Sequence, residues 1–386
     1  MRVVVTIPEI DRESTGPAYT VPSLCRELQN AGVNAELHSL NVPADRKFPF
    51  NVVTYPRSSL PLFHRIGWSS AMRRGLQAAA RNADILHMNG VWMMPNVYPS
   101  QAARGTSCKV VCCPRGGLSK VTFGRNRLVK GMMWRLGGQR RALENVSMFH
   151  AASQKECDEI RALGFRQPVA IIPNGIDIPG VAHRPFSCED RRLVFFGRIH
   201  PTKAVDHLVE AWGRVANDFP NWSLAIAGPD CGAVQGLKAM IAGKGIPRVE
   251  FVGEFHGSDK YEFLSAADLY VLPSLSENFG ITIAEALACG TPVVASRGCP
   301  WPGLEGRGCG RWIDIGPDAL ATCLRSMLAT SPVTLEEMGR KGRDWMAADY
   351  TWMGVASKMK ASYEWLLHGG IRPPWILLCG ESGECE

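Results

Sequence analysis

The chain has no apolar run near the roughly 18–20 residues that a membrane-crossing helix needs, so a spanning segment is not expected. It has no Cys-x-x-Cys pair, although its thirteen cysteines are many and odd in number. Cys112 and Cys113 are adjacent and most of the others sit in apolar stretches. That pattern argues against a zinc site or a disulfide framework and for buried free thiols in a reducing cytoplasm. There is no repeat of 20–50 residues and no low-complexity tract, which excludes solenoids and fibrous chains. No Asp-x-Asp pair stands at a strand end to hold a metal, so no metal or other cofactor is expected. The opening Met1–Pro8 carries one basic residue and a short apolar run broken by Pro8, which reads as a first strand and not as a signal peptide.

Acidic residues are scarce in the first half. Residues 1–180 carry 23 Lys and Arg against 12 Asp and Glu, within a net charge of +7 for all 386 residues. Arg65, Arg73, Arg74 and Arg81 lie together in segment 65–81. Segment 115–141 holds Arg115, Lys120, Arg125, Arg127, Lys130, Arg135, Arg140 and Arg141 with no acid at all, interleaved with Met132, Met133, Trp134 and Leu136. Such a mixture suits either an anionic membrane surface or a solvated helix face. No helix-turn-helix or base-stacking motif accompanies it, so nucleic acid is not an expected partner.

A chain of 386 residues, 46% hydrophobic and 20% charged, suits two globular domains. Apolar runs alternate with amphipathic ones. Strands are expected near 2–7, 34–39, 51–55, 84–88, 109–113, 147–151 and 168–172, then near 192–196, 222–227, 249–252, 268–272, 292–295 and 311–313. Helices are expected near 18–31, 69–81, 95–104, 124–144 and 154–163, then near 203–218, 234–244, 258–266, 280–288, 316–329, 334–347 and 351–367. This alternation implies an α/β protein with two doubly wound, Rossmann-like parallel sheets. The turn-rich stretch Ile172-Pro173-Asn174-Gly175 marks the break between them. The expected domains are 1–175, joined by a returning helix 351–368, and 190–348, with 369–386 a loose tail. A substrate crevice is expected at the carboxyl ends of the strands.

The most informative stretch runs from Ser274 to Ser296. Glu277 and Glu285 stand eight positions apart across a loop-to-helix junction that Gly280 opens and Gly290-Thr291-Pro292 closes. Free N–H groups at that helix start attract phosphate. One carboxylate is placed for sugar hydroxyls and the other for a ribose. Upstream, Phe196-Gly197-Arg198 ends a strand, and Lys203 flanks the next helix. Two cations there suit the charge that develops on a diphosphate leaving group.

Glu277-Asn278-Phe279-Gly280-Ile281 and Glu285-Ala-Leu-Ala-Cys-Gly-Thr-Pro-Val-Val together resemble the signature of retaining glycosyltransferases of family 4, with the GT-B fold of two Rossmann-like domains facing a central cleft. Gly298-Cys299-Pro300-Trp301 and Gly308-Cys309-Gly310-Arg311-Trp312 are similar to segments of relatives that build bacterial surface polysaccharides. The resemblance implies hexose transfer from a nucleotide-diphosphate sugar to a saccharide or lipid-linked saccharide, with retention by front-face attack. It makes Glu277, Arg198 and Lys203 the catalytic candidates. It places Gly16, Gly197, Gly228, Glu254, Phe255, Asn278, Phe279, Gly280, Ile281 and Glu285 around the donor. The loop before Gly16 carries Ser14-Thr15 where relatives have paired glycines.

On the acceptor or sugar side stand His87 and Asn89, where many relatives read His-x-His-Gly, and Arg115, which faces donor or acceptor unless it is structural. Trp301 either walls the sugar pocket or packs. The excess positive charge of the first domain points to a cytoplasmic protein peripheral at the inner membrane face, through segments 65–81 and 115–141. Two other readings remain: a GT-B enzyme of another kind, such as an epimerase or phosphorylase, and a nucleotide-sugar-binding protein without turnover.

Overall fold

The computed structural model describes residues 1–10, 16–43, 46–124, 127–181, 183–187 and 189–381. The chain forms two compact units, one of Met1–Gly175 with the chain from Trp352 onward, the other of Ile176–Thr351. The chain from Ile176 up to residue 190, assigned to neither expected domain, falls in the second unit, where His183 stacks on Phe186 and its Nε2 meets the Ala267 carbonyl.

In the first unit β1 (Arg2–Glu9), β2 (Asn34–Leu40), β3 (Val52–Tyr55), β4 (Ile85–Asn89), β5 (Lys109–Cys113), β6 (Met148–Ala151) and β7 (Val169–Ile171) form one parallel sheet in the order β3-β2-β1-β4-β5-β6-β7. Val3 and Val5 enter one core with Leu24 and Met359, while Val4 enters another with Leu76 and Leu86. Alternate side chains are thus buried on both faces, which explains the unbroken apolar runs. Helices Gly16–Asn30 and Trp352–His368 pack on the Val3 face.

The tail, expected to be loose, adds Ile376–Leu377 antiparallel to β7 and covers that edge of the sheet. The helix expected over 124–144 is three pieces, Lys120–Gly124, Arg127–Arg135 and Gln139–Glu144. Gly138 at φ +75° makes the second break, and Gly137 has no room for a side chain against the Met133 backbone. Pro95 and Pro99 divide the helix expected over 95–104 into a turn at Met94–Asn96 and helix Tyr98–Ala102. Helix Pro61–Arg65, with proline in its first turn, was not expected.

The second unit is a six-stranded parallel sheet of β8 (Arg191–Phe196), β9 (Trp222–Ala227), β10 (Val249–Gly253), β11 (Leu269–Leu272), β12 (Val293–Ser296) and β13 (Gly310–Ile313). Its order is β10-β9-β8-β11-β12-β13. The winding reverses between β8 and β11, where Leu269 pairs with Leu193. At such a switch point the loops leaving two neighbouring strands turn apart and open a crevice. The loops that leave here carry Arg198 and Glu277.

Candidate functional site

The second unit assembles most of the motif residues at its switch point. Beyond β8 the chain passes Gly197. A side chain on Gly228, the residue after β9, would come within 2.0 Å of the Gly197 carbonyl oxygen, so Gly228 lets two loops touch. Arg198 is exposed. Turn Pro201–Lys203 follows, with the His200 ring accepting from the Thr202 amide at 3.1 Å. Ala204, in the left-handed region at φ +50°, separates it from helix Val205–Val215.

This turn is tied to the loop after β11, because the Leu275 amide donates to the Thr202 carbonyl at 2.9 Å. The Glu277 amide donates to the Gly298 carbonyl at 2.9 Å, and a side chain at Gly298 would strike the Ser274 carbonyl. The two loops therefore bring Lys203 and Glu277 together. Nζ lies 2.6 Å from Oε1, with side chains 15% and 13% exposed. Neither strand ladder nor helix fixes this pair; the backbone contacts of the loops do.

Gly280 at φ +81° turns the chain into helix Ile281–Ala288. No acid occupies its first turn, so its orphan N–H groups and positive dipole end are left to attract an anion. Asn278 and Ile281 are half-buried, while Phe279 is buried against Trp301. Trp301, buried and stacked on Tyr350, donates from its indole nitrogen to the Phe279 carbonyl at 2.5 Å. Of the two roles open to Trp301, packing beneath the loop is the one the structure shows. The Tyr270 hydroxyl of β11 donates to Thr282 Oγ1 at 2.6 Å and so ties the strand to the first turn of the helix.

One turn further, Glu285 is buried and receives Lys260 Nζ at 2.5 Å from helix Asp259–Ser265. Burial pushes the Glu285 carboxyl up, against the downward pull of the Lys260 ammonium and with a smaller upward push from Asp177. Burial opposes the charge of Lys260 too, but Glu285 and the neighbouring Tyr261 outweigh it and hold the ammonium above its ordinary range. Glu254 and Gly253 are exposed, and the half-buried Phe255 ring stacks on Phe263 at 4.6 Å.

The first-unit candidates form a separate group. Ser14 and Thr15 lie outside the described residues, and Gly16 begins helix Gly16–Asn30 with open space around it. His87 is fully buried, with Nδ1 2.7 Å from the Tyr363 hydroxyl and its ring 5.4 Å from that of His150. Burial, and then the charges of His150 and Arg115, press its pKa well below the ordinary value. The ring is thus enclosed within the first unit, between Tyr363 and His150.

Asn89 is buried as well. Its Oδ1 accepts from Arg115 Nη2 at 2.8 Å and Nε at 3.1 Å. Arg115 also donates to Asn174 Oδ1 at 2.5 Å, and its own backbone is left-handed at φ +56°. The Glu156 carboxylate holds that loop by accepting from the Gly116 amide at 2.6 Å and the Ala152 amide at 2.8 Å. Asn89 and Arg115 thus satisfy each other. Sequence reasoning missed Lys260, Glu156 and Tyr363, because each acts through a partner distant in the chain.

Two doubly wound units, one with paired cations and carboxylates at its switch point, define a protein of the GT-B fold. Residues 15–178 match the model described as Glycosyltransferase Family 4, and residues 184–345 match that described as Glycosyl transferases group 1. The chain belongs to glycosyltransferase family 4. D-inositol 3-phosphate glycosyltransferase of Segniliparus rotundus is 30% identical over an alignment of 223 positions that covers 54% of this chain and 49% of that one. The chain spans about half the length of the curated relatives it matches first, 49% and 59%.

Among solved structures, sucrose-phosphate synthase of Thermosynechococcus elongatus superposes with a TM-score of 0.78 at 19% identity, over 96% of this chain and 100% of that chain. HepE of Anabaena, solved with UDP and glucose, gives 0.74 at 17% identity over 94% and 99%. These likenesses carry the fold.

Proposed function

We propose that the protein is a retaining glycosyltransferase that moves a hexose from a nucleotide-diphosphate sugar to a saccharide or lipid-linked saccharide in surface-polysaccharide synthesis. The observation that carries it is the Lys203–Glu277 pair beside the start of helix Ile281–Ala288, with Arg198 exposed on the same loop. The nucleoside diphosphate and sugar bound in HepE support the same class of donor.

In this reading Arg198, Lys203 and the helix N-terminus receive the charge of the departing diphosphate, work that a metal would otherwise do. Glu277 grips sugar hydroxyls and Glu285 the ribose diol. The bond from the anomeric carbon to the phosphate oxygen breaks. The acceptor oxygen bonds to that carbon on the same face, and its proton passes to the departing phosphate oxygen. A thermal-shift panel of nucleotide sugars and nucleoside diphosphates, without added metal, tests the donor site. One nucleotide series stabilises the parent and loses that effect in Glu285→Ala. Sugar transfer by Glu277→Ala at the parental rate overturns the catalytic assignment.

A lipid-linked acceptor requires a way onto the bilayer, and two segments support one. Leu128, Met132 and Leu136, spaced i, i+4 and i+8, are 90%, 48% and 84% exposed, although all three are large and apolar. The other side of helix Arg127–Arg135 is anchored by Trp134 among Trp92, Phe123 and Phe165. Lys120, Arg135, Arg140 and Arg141 are exposed around the stripe, and Arg65, Arg73, Arg74 and Arg81 on the other segment. Arg115 and Lys130 face inward, on Asn89 and on the Thr122 carbonyl. Among the described residues no helix is long and apolar enough to cross a membrane. An apolar stripe ringed by cations suits the interface of an anionic leaflet, which on this reading is the inner face of the plasma membrane.

A further inference from the structure

The carboxylate of Glu285 has a neighbour that no motif foretells. We propose that Lys260 is a positioning residue of the nucleotide site, holding the buried Glu285 carboxylate as an ionised double acceptor for the two vicinal hydroxyls of a ribose. This rests on the donor-site reading above.

The geometry carries it. Lys260 is the second residue of helix Asp259–Ser265, the helix that follows the loop of Glu254 and Phe255. Its Nζ reaches 2.5 Å from Glu285 Oε1, with side chains 16% and 4% exposed, and lies 4.7 Å from the Tyr261 ring centre. A vicinal diol donates two hydrogen bonds, which an ionised carboxylate accepts on both oxygens. A protonated carboxyl must give one of its positions to its own hydrogen.

A carboxylate this enclosed is driven towards protonation, so something must hold its charge in place. The other groups around it do not. Asp177 and the hydroxyl of Tyr270 oppose its ionisation or add no positive charge, and Cys289 one turn on is a thiol raised to about 12. Arg343, from helix Pro332–Asp349, is spent on the Ala288 and Pro179 carbonyls at 2.7 Å each. Among the described residues Lys260 is the cation in contact. Buried ion pairs are seldom better for stability than apolar residues of the same volume, so a role in recognition accounts for this one where stability does not.

The test is nucleotide affinity against pH. UDP, GDP, ADP and CDP are titrated calorimetrically into the parent, and the tightest is carried forward with its 2′,3′-dideoxy analogue, from pH 5.5 to 9. In Lys260→Met the pull that lowers the Glu285 pKa is gone, so the carboxyl protonates at a higher pH than in the parent. The variant should then lose roughly ten- to hundredfold in affinity for the ribonucleotide towards the acid end and recover towards the alkaline end. Glu285→Gln should be weak at every pH, and Lys260→Arg should restore the parental profile. The dideoxy analogue should bind parent and variant alike.

If Lys260→Met does not fold, Lys260→Gln keeps a donor without the charge and carries the same comparison. A variant that matches the parent at every pH overturns the assignment. So does one that loses the same factor for both nucleotides, since that marks general damage. A parent that binds none of the four diphosphates overturns the donor-site reading, and this inference with it.

Discussion

Removing the Lys203 ammonium leaves Glu277 in a pocket of which it exposes little, with its partner gone from 2.6 Å. Taking the cation away from a mostly buried carboxylate costs about 3–5 kcal/mol, which for a unit of this size lowers the unfolding midpoint by about 6–20 °C. The converse change is cheaper. In Glu277→Gln the lysine keeps a flexible four-carbon stem and can carry its charge to water, so the loss is about 1–2 kcal/mol. In Lys203→Met/Glu277→Gln neither charge remains, and the double variant should be more stable than the sum of the singles predicts by about 1–3 kcal/mol.

Turnover behaves differently, because the leaving-group charge still has to be met. Each single variant should lose about 100- to 1000-fold in release of nucleoside diphosphate from the donor, and the double variant should recover none of it. Denaturant unfolding gives the stability cycle and product release the activity cycle. Additive stabilities would mean that the ion pair is not formed in solution. Turnover that returns with stability in the double variant would reduce the pair to scaffolding and remove the chemistry assigned to it.

Other consequences are as direct. Trp301→Ala empties a fully packed site and deletes the hydrogen bond to the Phe279 carbonyl. It should cost about 3–5 kcal/mol in urea unfolding, against a small change if the ring only walled a pocket. Leu128→Asp/Leu136→Asp should lower sedimentation with phosphatidylglycerol vesicles and leave release of nucleoside diphosphate unchanged; equal sedimentation would remove the stripe as a membrane contact. The first unit should be acid-labile. Burial, the charge of Arg115 and, in the other direction, the bond to the Ile172 carbonyl leave His150 at about 3. His87, its neighbour, is lowered as well. A histidine depressed in the folded state binds its proton only in the unfolded one, so stability falls as pH drops below the unfolded value near 6.5 and continues to fall towards 3. His150→Asn should flatten the slope of unfolding free energy between pH 7 and 4, and an unchanged slope would refute the assignment.

The two sheets are legible in the sequence because a doubly covered parallel strand must be apolar on both faces, and Val3-Val4-Val5 says so in three letters. The stretch 124–144 reads as a single helix because its apolar spacing continues through the glycine pair that ends it. A period detects faces and not breaks, and the left-handed Gly138 makes the break that follows Arg135. The tail strand Ile376–Leu377 is too short to have a period, and what orders it is the open edge of β7. The place of His87 and Asn89 at a strand end suggests side chains that face a ligand. Their burial follows instead from Tyr363 on a helix 276 residues later, and from Arg115 on the loop after the next strand.

The candidate site divides along the same line. Glu277 and Glu285 announce themselves because they share one short stretch with a turn, a helix start and a glycine stop. Each is answered in the fold by a lysine from elsewhere, and those two lysines differ in how visible they are. Lys203 follows a strand that ends in glycine, so the order of residues alone is enough for a cation there to suggest phosphate. Lys260 sits in an ordinary amphipathic helix, among exposed Asp259 and Glu262, where a lysine reads as a solvated face. What distinguishes it is that β11 lies between its helix and that of Glu285, so the crossover carries two residues 25 apart into contact. The motif therefore fixes which carboxylates are present, and the winding of the sheet decides which lysine meets Glu285.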